Sequence, residues 1–185
     1  MAAALTGDTA ELADLLRATA AGDQRAFADL YRRTSSKLFG VCIAMLRERG
    51  EAEDVLQDVY TSVWKRAGGF DPARAAAMTW LITLARNRAI DRLRQRREGP
   101  LDDATMRELV DDTPTPALSA ESSQQRIRLE RCLDALESRQ KSAVRAAFFT
   151  GATYNELAER CGVPLATMKS WIRRSLIRLR SCLEQ

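Results

Sequence analysis

TYNELAERCGVPLATMKSWIRRSLIRLR, residues 153–180, is the stretch on which the fold is decided. Thr153 and Glu156 stand three residues apart, the spacing of a capping box at a helix start. Leu157 and Ala158 face inward, and Gly162 permits a tight turn before a second helix. Pro164 suits the first turn of that helix, where its missing N–H costs nothing. Leu165, Met168, Ile172, Leu176, Leu179 and Leu183 then recur at helical intervals as one buried stripe. Opposite them stand Thr167, Ser170, Arg174, Ile177 and Ser181, flanked by Lys169, Arg173, Trp171 and Arg178. The layout is that of a helix-turn-helix, with long donors on the face that a major groove requires. The competing reading is an amphipathic helix of an ordinary bundle with solvated arginines.

A second basic module lies upstream in AMTWLITLARNRAIDRLRQRR, residues 77–97, with six arginines in its last twelve positions. Leu81, Ile82, Ala85, Ala89 and Leu93 mark one apolar side. At about 100° per residue, Trp80, Thr83, Asn87, Asp91 and Arg94 fall on another stripe. An aromatic ring, an amide and nearby guanidinium groups suit unpaired nucleic acid. The loop at 68–77 is placed to wall a pocket for an extruded base. The alternative is that Trp80 packs against the second or third helix.

The helix before it, AEDVLQDVYTSVWK at 52–65, is apolar over most of its circumference. Asp54, Gln57, Asp58, Thr61 and Lys65 form a narrow polar stripe, acidic in an otherwise basic segment. Such a stripe repels DNA and fits a basic protein surface, although a solvated face is the ordinary reason for one.

Outward from these stretches the chain reads as helix throughout. Leu12, Leu15, Leu16 and Thr19 space a first helix ending at Gly22. Asp23 caps a second, carrying Phe27, Leu30, Tyr31, Leu38, Val41, Cys42 and Met45, which Gly50 is expected to break. From 98 to 120 the periodicity vanishes among Pro100, Pro114, Pro116 and several aspartates, the pattern of a linker. Helical spacing resumes with Ile127, Leu129, Leu133 and Leu136, then Ala143, Ala147 and Phe148. The expected fold is all-α: a helical domain at 1–97, an acidic linker at 98–120, and a helix-turn-helix domain at 121–185. Charge follows the same division. Residues 1–97 carry 16 Lys+Arg against 12 Asp+Glu, 98–125 carry 1 against 7, and 126–185 carry 12 against 6. Two basic blocks around an acidic strip suggest a polyanionic partner.

Several functions are disfavoured. The N-terminus has no basic leader and is not expected to be a signal peptide. The run LFGVCIAML is far short of the ~20 residues that a membrane span needs. A soluble cytoplasmic protein without membrane insertion is expected. The chain has 4 cysteines and 0 histidines, so no Ser-His or Cys-His catalytic pair exists. Cys42, Cys132, Cys161 and Cys182 include no CxxC pair and are expected to be buried or free thiols. Neither metal nor cofactor is expected, and catalysis is the weak reading.

AEDVLQDVYTSVWK, then FDPARAAAMTWLITLARNRAIDRLRQRR at 70–97, then VPLATMKSWIRRSLIRLR at 163–180, resemble in residues and in order the extracytoplasmic-function (ECF) sigma factors of bacteria, within the sigma-70 superfamily. The resemblance implies that the first domain is sigma region two and the second is sigma region four. It implies that Asp54, Gln57, Asp58 and Thr61 bind the coiled-coil clamp of core RNA polymerase. It implies that Phe70, Trp80, Thr83, Asn87, Arg88, Asp91 and Arg94 hold the melted −10 strand. For the −35 duplex it implies Thr153, Tyr154, Thr167, Lys169, Ser170, Trp171, Arg173, Arg174 and Arg178. Many members carry Arg where this chain has Trp171, so no −35 sequence is carried over. A cognate anti-sigma factor is a further implied partner. The rival readings are a stand-alone helix-turn-helix regulator, which leaves the acidic stripe unexplained, and a sigma-like module that sequesters an anti-sigma factor.

Overall fold

The structure is a computed structural model and describes residues 2–96 and 120–184. The expected linker lies outside the described residues except for Ala120, which opens a helix. Two compact units, Met1–Arg96 and Arg97–Gln185, divide the chain. Among the described residues every regular element is helical.

In the first unit α1 spans Ala2–Ala20, α2 Gln24–Leu46, α3 Arg49–Arg66 and α4 Ala77–Arg96, with a 3-10 turn at Ala67–Gly69 after α3. Asp23 caps α2 as expected, accepting from the backbone N–H of Arg25 at 2.8 Å and of Ala26 at 3.1 Å. The break after α2 falls earlier than the expected Gly50. Arg47 takes the left-handed conformation with φ 61° and ends α2, and Gly50 sits inside the first turn of α3. Glu48 makes this possible, because its carboxylate accepts from the N–H groups of Gly50 and Glu51 and so satisfies the open start of α3. Those N–H groups, Glu51 first, hold the Glu48 carboxyl below its usual range.

Leu16, Leu30, Leu38, Val59, Val63 and Leu81 are fully buried at the centre of this unit. On α4 the buried residues Ala77, Leu81, Ala85 and Ala89 recur every fourth position, and α4 packs against α1, α2 and α3. Three alanines in that ridge let it approach its neighbours closely. Inside the core, the Thr34 hydroxyl donates to the Leu30 carbonyl at 2.6 Å, so the Tyr60 hydroxyl donates to Thr34 across 2.7 Å. Burial pushes the Tyr60 phenol up to about 12.

The second unit holds α5 at Ala120–Asp134, α6 at Ser138–Arg145, a π-turn at Ala146–Thr150, α7 at Tyr154–Cys161 and α8 at Leu165–Glu184. Helix α8 packs against α5, α6 and α7. Arg145 of α6 pairs with Glu130 of α5, and Lys141 pairs with Asp134. The buried arc of α8 differs from the expected stripe. It runs through Met168, Ile172, Ser175 and Leu179, while Leu176 and Leu183 are 38% and 37% exposed. The shift turns α8 toward α5, where Cys182 meets Cys132 in a disulfide with the Cα atoms 5.8 Å apart. The expectation of four thiols is thereby corrected, with Cys42 and Cys161 the free pair. Ile127 of α5, which the helical spacing grouped with Leu129, Leu133 and Leu136, is 54% exposed.

Candidate protein and nucleic-acid interfaces

The polar stripe of α3 is solvent-facing: Asp54, Gln57, Asp58, Thr61 and Lys65 are all exposed. Its carboxylates are not equivalent. Asp54 lies 3.6 Å from an Arg92 nitrogen of α4, whereas among the described residues Asp58 enters no ion pair. Arg92 is held principally by Glu51, which also sits 3.6 Å from Arg96. The hydrogen bond and charge of Glu51 raise the Arg92 guanidinium further above its ordinary value. The basic end of α4 thus partly neutralises Asp54, reaches Asp58 only through its longer-range charge, and leaves the Gln57 and Asp58 side chains at the middle of the stripe without an ion pair among the described residues. Beside the stripe an open groove of about 610 Å³ is lined by Phe27, Tyr31, Leu56, Tyr60 and Trp64 together with Glu53, Gln57 and Thr61. Phe27 meets Trp64 edge-on at 5.2 Å between ring centroids, and Tyr31 lies 4.6 Å from Tyr60. Neither the groove nor the Glu51–Arg92 pair was apparent in the sequence. The pair joins residues 41 apart, and Tyr31 carries the same helical spacing as a core residue.

On α4, Thr83, Asn87, Asp91 and Arg94 are exposed along one stripe, as the periodicity requires. Two of the candidates placed with them are engaged elsewhere. Arg88 donates to the Ser62 hydroxyl of α3 at 2.8 Å and is half-buried. Trp80 is half-buried against the core of the first unit, its ring edge-on to Phe70 with centroids 5.8 Å apart. The packing alternative therefore accounts for part of the Trp80 surface. Phe70, where the loop that precedes α4 begins, is likewise half-buried against this core. In that loop the Asp71 carboxylate accepts from the Ala73 N–H at 2.9 Å.

In the second unit the capping box is present as expected. The Thr153 hydroxyl accepts from the Glu156 N–H at 3.2 Å, and Glu156 accepts from the Thr153 N–H at 2.6 Å. Gly162 has φ 63°, the left-handed conformation that ends α7 without a Cβ penalty. Helix α8 thereby presents Lys169, Ser170, Arg173, Arg174 and Arg178 outward, all exposed, while Thr167 is half-buried. Trp171 is half-buried too and packs on the core of this unit, so it is held partly inward. Thr153 and Tyr154 are exposed at the start of α7. Surface arginines elsewhere commonly have carboxylate partners: Arg17 with Asp14, Arg33 with Glu11, Arg49 with Glu53 and Arg180 with Glu184. Among the described residues Lys169, Arg173, Arg174 and Arg178 have none. This is a concentrated positive face with no internal counter-charge, suited to phosphates and base edges.

No group of His, Cys, Asp and Glu among the described residues is arranged to hold a metal ion. No described helix is long and apolar enough to cross a membrane.

Residues 30–98 match the family Sigma-70 region 2, and residues 126–179 match Sigma-70, region 4. An ECF RNA polymerase sigma factor SigK from Mycolicibacterium vanbaalenii is 37% identical over 177 residues, covering 95% of this chain and 90% of that protein. SigK of Mycobacterium tuberculosis is 35% identical over 178 residues, 95% of each chain. Among solved structures, Rhodobacter sphaeroides SigE in complex with the anti-sigma ChrR aligns over 94% of this chain and 98% of that one. Its identity is 35% and its TM-score 0.46. The chain belongs to the sigma-70 family of RNA polymerase sigma factors, in its ECF class.

Proposed function

We propose that this sigma factor acts as a non-enzymatic, cytoplasmic initiation subunit that binds core RNA polymerase through α3, holds the melted −10 strand on α4, and reads the −35 duplex with α8. The observation that carries the reading is the outward face of α8, whose Lys169, Arg173, Arg174 and Arg178 have no carboxylate partner among the described residues, on a chain that pairs many of its other arginines. Such a face gains most from neutralising phosphates. The stripe on α3 complements it, because an exposed acidic surface excludes DNA and selects a basic protein. Within the −10 set, Asn87 is the exposed amide at the middle of the stripe and contacts a base, whereas Arg88 braces α4 against Ser62. Family membership also supports control by a cognate anti-sigma factor.

The test is transcription in vitro from a pool of promoter templates by purified core polymerase, with and without the protein. Stimulated initiation at a defined set of promoters is expected, and no stimulation would sink the reading. Replacing Gln57 and Asp58 by Ala should weaken core binding more than replacing Asp54, which Arg92 already occupies. Equal effects at the two sites count against the assigned centre of the contact.

A further inference from the structure

Ile177 is 58% exposed, the most exposed large apolar side chain among the described residues. It does not share the flank of α8 with Leu176 and Leu183. At about 100° per residue it projects roughly 20° from Ser170, 40° from Arg173 and 60° from Arg174, at the middle of the outward face. Among the described residues it is not part of the core of the second unit, which Met168, Ile172 and Leu179 fill from the opposite side of α8. A β-branched side chain is also a poorer helix former at an exposed site than Arg, Lys or Glu. In the major groove, however, thymine alone offers a methyl group, and an apolar side chain is what meets it. Three residues separate Ile177 from Arg174, about 4.5 Å along the axis at ~1.5 Å per residue. That distance is close to one base-pair step of ~3.4 Å.

We propose that Ile177 is a specificity-determining residue of the −35-reading face and selects thymine by packing on its C5-methyl group, within about two base pairs of the pair read by Arg174. The inference rests on the reading of α8 as a duplex-binding helix. The polar residues around it contribute hydrogen bonds and charge, and Ile177 contributes the one apolar contact that distinguishes thymine from cytosine at the same edge.

The test uses holoenzyme reconstituted from the full chain and core polymerase. It first selects a −35 sequence from a random duplex pool. Each thymine of that sequence is then replaced singly by deoxyuridine, which lacks only the methyl group. One replacement, within about two base pairs of the pair at which Arg174→Ala relaxes selection, should weaken binding about three- to fivefold, the effect of one buried methyl group. Ile177→Ala should lose a similar factor on the thymine duplex and become indifferent to deoxyuridine at that position, while Ile177→Val keeps most of the discrimination. Because the side chain is exposed, both variants should fold, as circular dichroism can verify. If Ile177→Ala retains the full deoxyuridine penalty at every thymine, or weakens all sequences alike, the proposal is overturned. Should that happen while Arg174→Ala still relaxes selection, the duplex-reading role of α8 stands alone. Selection of no −35 sequence by the wild-type holoenzyme overturns both.

Discussion

At the residue scale the two hydroxyls of Thr34 and Tyr60 show how a polar pair is tolerated in a small helical core. Thr34 is fully buried, and its bond to Leu30 together with that from Tyr60 leaves neither hydroxyl stranded. Tyr60→Phe removes one partner of a buried pair, which typically costs about 1–3 kcal/mol, and Thr34→Val should cost a similar amount. Because the side chains touch, the double variant should lose less than the sum, and urea unfolding of all four proteins measures the difference. Strict additivity would mean that the pair contributes nothing as a pair. A pH dependence follows from the same site. The Tyr60 phenol is raised by burial to about 12, above its ordinary value of 10.0. Between these values the folded chain keeps a proton that the unfolded chain has released, so stability falls as pH rises. Wild type should therefore lose stability more steeply than Tyr60→Phe from about pH 10 to 12, and parallel curves from the two proteins would contradict it.

At the scale of elements, the helix-turn-helix depends on a turn that only some residues make cheaply. Gly162 adopts φ 63°, and a Cβ placed there would meet nothing within 4 Å. The cost of Gly162→Ala is therefore backbone strain, about 1–2 kcal/mol, without a steric clash. A lower melting temperature for the second unit, with the Asn87 face of the first unit unaffected, is the expected result. An unchanged melt would show that α7 and α8 tolerate the substitution by shifting the turn. On α8, Arg174 stands on the exposed face about 60° from Ile177, and Arg178 farther round toward Trp171. Arg174→Ala should relax preference at one base pair by about 1–3 kcal/mol. Arg178→Ala should weaken all duplexes alike and reduce the salt slope by roughly one contact. Binding to a set of −35 variants at two salt concentrations separates base reading from phosphate holding, and a uniform loss for Arg174→Ala would make it a phosphate clamp.

At the scale of the whole molecule, the chain consists of two units with separate cores, and a covalent link stabilises only one of them. The Cys132–Cys182 bridge closes a loop with a sequence separation of 50 between α5 and α8. A cross-link over a loop of that size restricts the unfolded chain by about 4 kcal/mol on the chain-entropy account. Replacing both cysteines by Ala should lower amide-exchange protection throughout α5 to α8 and leave α1 to α4 unchanged. A matching loss in both units would mean that they unfold together, and no loss would mean that native packing alone holds α5 to α8.

Whatever depends only on neighbours along the chain is readable from the residues alone. Capping by Asp23 and by Thr153 with Glu156, the turn at Gly162, the four-residue spacing that exposes Thr83, Asn87 and Asp91, and the arginine face of α8 all follow from local chemistry and helical period. The all-α character and the principal polar faces were legible for that reason. What tertiary structure decided depends on which elements come to lie together. Periodicity places Leu176 and Leu183 on one flank of the Met168–Ile172–Leu179 line and Ser175 and Cys182 on the other, and the packing of α5 and its Cys132 against α8 determines which flank is covered. The partial neutralisation of Asp54 by Arg92, the bracing of Arg88 on Ser62 and the half-burial of Trp80 likewise join residues on different helices or across a loop. A one-dimensional pattern fixes the angle of a side chain about its own helix, and the neighbour that covers or pairs it is set by the fold.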